Sequence, residues 1–292
     1  MLRALVALVL SLVLWPSSAA AQSSAWQVFL GGDDANTPRM PSGVAVDDQG
    51  DVYVVDTSGS RIEKLSPSGR LLTTFGQLGP DAASLRRPRG IALDSQGDLY
   101  IADTANHRIQ RFSPRGEPLG PWGTIGFGAG EFILPSSVAF DSMGNLYVAD
   151  TGNHRVQKLG ADGQMLTQWA GVHFPHGITV DDQDNVYVSD EAGVRKFTPD
   201  GDLLASWTSP GQFGDAYGLA WDDAAGSIYV ADTDNGRVMA LSPSGQVQGT
   251  WASEGRGVGQ LKYPEAVAVD GQGAVYVADR GNDRVQVFRP GQ

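Results

Sequence analysis

Six stretches of this sequence open alike and then differ at one place. The residue after the opening Pro (Ala in the fifth stretch) is Ser42, Arg89, Ser136, His176, Tyr217 and Glu265 in turn. A guanidinium, an imidazole, a phenol and a carboxylate at equivalent places make a set that can bind a small anionic or polar ligand. Arg89 is suited to orient an anionic group, and His176 to act as a base or metal ligand near neutral pH. His173 lies three residues before His176 in GVHFPHG. His173, His176 and Glu265 are therefore the candidate ligands for a metal, three protein ligands being what a catalytic zinc centre requires. Since Ser42 and Ser136 place small side chains there, the position is expected to carry no scaffold duty.

Other chemistries have less to stand on. The chain has no Cys, which excludes a disulfide framework, a thiolate metal centre and a Cys nucleophile. No Ser-His-Asp arrangement or phosphate-cradling loop is legible. A second repeated set is the Asp/Arg pair at five-residue spacing: Asp56/Arg61, Asp103/Arg108, Asp150/Arg155, Asp190/Arg195, Asp232/Arg237 and Asp279/Arg284. A feature present in all six stretches is what each unit needs to fold, so these pairs are expected to tie a turn. His107 and His154 stand in NHR, where other stretches have Ser60, Val194, Gly236 or Asp283, so no shared metal role is expected of them. The DDQGD-type turns lack the alternating ligands of a twelve-residue calcium loop.

The elements that must position these residues follow from the repeat. Its second acids fall at Asp56, Asp103, Asp150, Asp190, Asp232 and Asp279. A period of 40–50 residues with four strand signals per unit indicates propeller blades. In the first unit the strands are expected at 43–47, 51–56, 61–65 and 71–75, separated by Gly-, Asp-, Ser- and Pro-rich turns. Runs such as VYVV and LYIA, apolar nearly throughout, imply burial on both faces. The sixth unit stops after its third strand, and Trp26-Gln27-Val28-Phe29-Leu30-Gly31 resembles the fourth strands elsewhere. The N-terminal strand is therefore expected to complete the last blade and remove an open sheet edge. The predicted fold is all-β, a six-bladed propeller with four antiparallel strands per blade. The variable ring Ser42, Arg89, Ser136, His176, Tyr217 and Glu265 should encircle the channel mouth, with Arg89 across from Tyr217.

The VADTGNHRVQKL segment, and interblade segments ending GAGEFILP and GVGQLKYP, resemble the NHL repeat family over about residues 24–292. That resemblance implies a fold rather than an activity. PHGITVD also resembles the segments supplying metal-binding His in peptide amidating lyases and streptogramin lyases. It occurs once, and Arg89, Ser136 and Glu265 stand where further His would be needed.

Residues 1–21 read as a signal peptide: Arg3, an apolar run from Ala4 to Trp15, and Ala19-Ala20-Ala21 before Gln22. Residues 22–292 are then a single exported domain, periplasmic or extracellular, expected to be monomeric and not inserted in a membrane. The net charge of −12 and the lack of basic runs argue against nucleic acid, which needs clustered cations. The expected function is a non-enzymatic binding or scaffold module for a protein, peptide or glycan, with no cofactor. The alternative is a metal-assisted lyase or hydrolase at the channel mouth.

Overall fold

The computed structural model describes residues 25–31, 37–208 and 211–291; the expected signal peptide lies outside them. The described chain forms six four-stranded antiparallel sheets, the blades of a propeller. Blade 1 comprises Pro41–Val46, Val52–Asp56, Arg61–Leu65 and Leu71–Phe75. The innermost strands of blades 2 to 5 are Ile91–Leu93, Pro135–Phe140, Ile178–Val180 and Ala216–Asp222. Blade 6 is built from both ends of the described chain. Pro264–Val269, Val275–Asp279 and Arg284–Phe288 are joined by Gln27–Gly31, which pairs with Arg284–Phe288. Trp26 stacks on Phe288 at 4.3 Å between ring centroids, and Phe29 meets Tyr276 edge-on at 5.2 Å. The N-terminal strand thus closes the ring, as its sequence predicts.

The doubly apolar strands follow from this geometry. Successive side chains of a strand point to opposite faces. In blade 1, Val52 and Val54 pack with Tyr276 and Ala278 of blade 6. Tyr53 and Val55 pack with Leu99 and Ile101 of blade 2. The core is therefore a set of interblade layers, and each second strand belongs to two of them. A fully buried Val or Ile in such a layer contributes roughly 1.5–3 kcal/mol.

Near the axis the innermost strands approach one another closely. A Cβ on Gly43 would lie 2.2 Å from the Arg89 carbonyl oxygen, and one on Gly177 would lie 2.1 Å from that of Tyr217. These glycines, placed right after variable ring residues, let neighbouring blades close on the channel. Each blade's strands alternate in direction. The start of the first strand and the turn between strands two and three therefore share one face, here the top.

Candidate functional site

The repeated acids and arginines organise this top face. Arg108 Nε lies 2.7 Å from Asp103, Arg155 Nε 2.7 Å from Asp150, Arg237 Nε 2.6 Å from Asp232 and Arg284 Nε 2.6 Å from Asp279. Arg61 reaches Asp56 at 3.0 Å and also Glu63 at 2.6 Å. The guanidiniums do more than hold the turn. Arg155 also donates to the carbonyls of Phe127, Gly128 and Glu131, and Arg284 to those of Arg256, Gly257 and Gln260. Each thus staples the glycine-rich interblade segment to the blade that follows it. Blade 4 does this differently. Its turn is shorter, so Asp190 faces Gly193, and Arg195 faces Val188, the place Gln157 occupies opposite Val148 in blade 3. Arg195 still pairs with Asp190, but from a different strand position than the five-residue spacing implies.

The histidines of NHR act between blades. His107 and His154 sit in the left-handed region (φ 56° and 53°) at the ends of single 3-10 turns, a conformation that His tolerates better than most side chains. His107 Nδ1 accepts the Leu134 amide and His154 Nδ1 accepts the Phe174 amide, both at 3.1 Å. In blade 6 the Asp283 carboxylate accepts the Met40 amide at 2.7 Å. An acceptor fixing the next blade's approach is the common requirement, which a carboxylate meets as well as an imidazole.

Ser42, Arg89, Ser136, His176, Tyr217 and Glu265 all line one cavity at the channel mouth. It is small, about 60 Å³, room for no more than a few waters. The side chains fill it themselves. His176 stacks on Tyr217 with centroids 4.0 Å apart. Arg89 crosses the mouth toward them, and its Nη1 lies 3.6 Å from Glu265 Oε1. Arg280, from the turn of blade 6, holds the other Glu265 oxygen at 2.8 Å. Ser136 Oγ donates to the carbonyls of Pro175 and His176, and Ser42 Oγ to that of Pro88. These hydroxyls stitch neighbouring blades together, so the ring position does carry a scaffold duty, contrary to the expectation.

The electrostatics follow from burial. Burial pushes the His176 imidazole down to about 4, with Arg89 adding to the effect; this corrects the expectation of a base titrating near neutrality. Burial raises Glu265 above the usual carboxylate range although Arg89 and Arg280 pull it back. Burial likewise raises the Tyr217 phenol, again opposed by Arg89.

The metal candidates do not converge. His173 is exposed, away from the mouth cavity, with Nδ1 3.1 Å from Glu191 and its ring 4.7 Å from that of His154. Glu265 is taken by two guanidiniums. Among the described residues no three His, Asp or Glu side chains are placed to hold a metal ion. The residues present therefore do not fit the metal that the alternative reading needs.

Two features of the top face were not singled out in the sequence. Arg280 stands where blades 1, 2, 3 and 5 have Thr57, Thr104, Thr151 and Thr233. Those hydroxyls donate to the proline carbonyl opening the next blade. The second feature is an outer ring of apolar side chains just before the variable positions: Met40, Leu134, Phe174 and Tyr263. All four are 37–47% exposed and held at φ between 49° and 54°. The signal for both was the repeat itself, read one residue to either side.

The NHL repeat family model matches residues 39–65, 85–112, 132–159 and 261–288. With the six blades in place, the chain is a β-propeller that carries four NHL repeats. Solved structures share the architecture at low identity. A streptogramin B lyase superposes with a TM-score of 0.69 at 15% identity, over 93% of this chain and 99% of that one. A gluconolactonase from Xanthomonas campestris gives 0.71 at 15% identity, over 91% and 89%. A virginiamycin B lyase from Staphylococcus aureus gives 0.66 at 14%, over 91% and 99%. This likeness shows the fold alone, and enzymes occur among the proteins that share it. No curated protein sequence matches this chain.

Proposed function

We propose that this chain is an exported, non-enzymatic propeller that binds a macromolecular partner on its top face. One observation carries the reading. The channel mouth is narrowed by its own side chains to about 60 Å³, while the surface around it presents Met40, Leu134, Phe174 and Tyr263 to solvent. Apolar side chains held in the left-handed region cost roughly 1–2 kcal/mol each, and their exposure suits contact with another surface. Protein, peptide and glycan partners are all compatible with a rigid disc of this kind, and the apolar ring favours a protein or peptide. The test is capture from the exported fraction by wild type and by Leu134→Ser/Phe174→Ser/Tyr263→Ser. The expected result is a partner retained by wild type and lost by a variant of unchanged melting temperature. Equal capture by both would overturn the reading.

A second reading, a lyase or hydrolase acting at the mouth, draws on one feature. His176 is half-buried there, with a buried Nδ1 that has no hydrogen-bond partner among the described residues. In the neutral form favoured by burial, it could accept a proton. Turnover of a lactone or a streptogramin by purified protein, abolished in His176→Phe, would establish this reading and displace the first.

A further inference from the structure

A second cavity lies on the top face beside the mouth, between blades 1, 2 and 6, with a volume of about 330 Å³. Arg87, Arg89 and Arg280 line it together with Glu265, and Met40 and Leu78 form apolar walls. Ser58 and Ser60 add hydroxyls from the blade 1 turn. The three guanidiniums come from separate places. Arg87 precedes the proline that opens blade 2 and is held at φ 47°. Arg89 follows that proline. Arg280 projects from the turn of blade 6.

Charge does not balance in this cavity. Glu265 is one carboxylate against three guanidiniums, held by Arg280 at 2.8 Å and by Arg89 at 3.6 Å. Arg87 forms no ion pair among the described residues. Two positive charges are left facing a half-enclosed space, in a chain whose net charge is −12. A cationic pocket here is therefore not part of a generally basic surface. Nor is it required by the repeat. Arg280 replaces the Thr that elsewhere bonds the next blade's proline carbonyl, giving up that contact.

We propose that this cavity binds a small organic dianion, of dicarboxylate or phosphomonoester chemistry. Planar guanidiniums pair bidentately with carboxylate and phosphate oxygens, the excess of two positive charges over Glu265 matches two negative charges, and Met40 and Leu78 suit a short carbon chain. The Arg89–Glu265 pair walls this site off from the channel mouth. The proposal is independent of macromolecular docking, because a small anion can be titrated with no partner present.

Calorimetric titration of the full chain with succinate and with inorganic phosphate, at low ionic strength and with chloride as the matched control, tests it. Saturable binding of at least one dianion, and none of chloride, is expected. Binding of succinate alone assigns the dicarboxylate chemistry, and binding of phosphate alone the phosphomonoester. Arg280→Thr restores the residue that four other blades carry, so it should fold. It and Arg87→Ala should each weaken binding about tenfold or more, the usual loss for a charge-assisted contact. Glu265→Gln should tighten binding, because it removes the competing carboxylate, whereas a merely structural role for Glu265 predicts no gain in affinity. Absence of saturable binding at millimolar anion, or affinity unchanged in both Arg280→Thr and Arg87→Ala, would overturn the proposal.

Discussion

The imidazole of His176 lies flat against the phenol of Tyr217, ring planes 7° from parallel and centroids 4.0 Å apart. These two side chains belong to neighbouring blades, so the stack is both part of the wall of the channel mouth and a contact in the ring. Its burial holds His176 neutral, with a pKa lowered from 6.5 to about 4. A depressed histidine contributes stability that is fully present above the unfolded value and is lost as pH falls through the folded one. Between pH 6.5 and 4, wild type should therefore lose on the order of 2–3 kcal/mol more than His176→Phe, which keeps the ring stack without the titration. Denaturant midpoints of both proteins at pH 7 and pH 4.5 measure this. Parallel losses in the two proteins would show that His176 is not the group responsible.

Glu63 should produce the opposite slope. It stands in blade 1 where blades 2, 3 and 6 place Gln110, Gln157 and Gln286 facing the same strand position. Its side chain is fully buried, and burial raises its pKa from 4.5 to about 7, against the pull of Arg61. A carboxyl with a raised folded pKa adds stability that is present below 4.5 and lost as pH rises through about 7. Glu63→Gln should remove that loss and stabilise the protein at pH 8 by on the order of 2 kcal/mol. Thermal melts of both proteins across pH 5–8 check it. A variant less stable than wild type at pH 8 would mean that the Arg61 pair outweighs the burial of Glu63.

Asp150 illustrates how a repeated pair stabilises. The carboxylate is wholly buried and accepts from the Ile133 amide, Asn153, Arg155 and Gln157. Asp150→Ala strands all four donors at once. The expected cost is about 2–4 kcal/mol, the scale for leaving a buried charge without its partner. A denaturant titration giving under about 0.5 kcal/mol would place the pair among weak solvated ones.

Removal of residues 22–31 should unseat the ring. It deletes the strand paired with Arg284–Phe288 and the Trp26 ring stacked on Phe288, leaving an exposed sheet edge open to another chain. A lower melting temperature and concentration-dependent aggregation are expected, by calorimetry and light scattering. Unchanged values would remove closure from the account of stability.

Much of this molecule was legible because blades repeat. The strand positions, the Asp/Arg pairs and the ring from Ser42 to Glu265 each recur at a fixed offset from a proline or an acid. What the repeat did not reveal has a physical reason in each case. His173 and His176 are three residues apart, yet the chain turns between them, so His173 faces Glu191 and His154 rather than the channel. Ser42 and Ser136 look free in sequence because their hydrogen-bond partners are carbonyls of the next blade, which no spacing records. Arg195 keeps its five-residue distance from Asp190 but occupies a different strand position, because the blade 4 turn is shorter. Arg280 does not stand out in the sequence because the duty of the threonine it replaces, a bond to a neighbouring proline carbonyl, exists only once blades are adjacent.

The pairing of Gln27–Gly31 with Arg284–Phe288 also sets an order of events in time. Contacts between residues far apart in sequence form slowly, and this one joins segments at opposite ends of the described chain. As the polypeptide is synthesised, a blade can form once its own strands are available, but the Gln27–Gly31 strand has no partner until the last of them has been made. The ring therefore cannot close before Arg284–Phe288 is present, and its first strand waits longest. Until then the Gln27–Gly31 strand is an unpaired edge, the kind of surface to which another chain can add a strand.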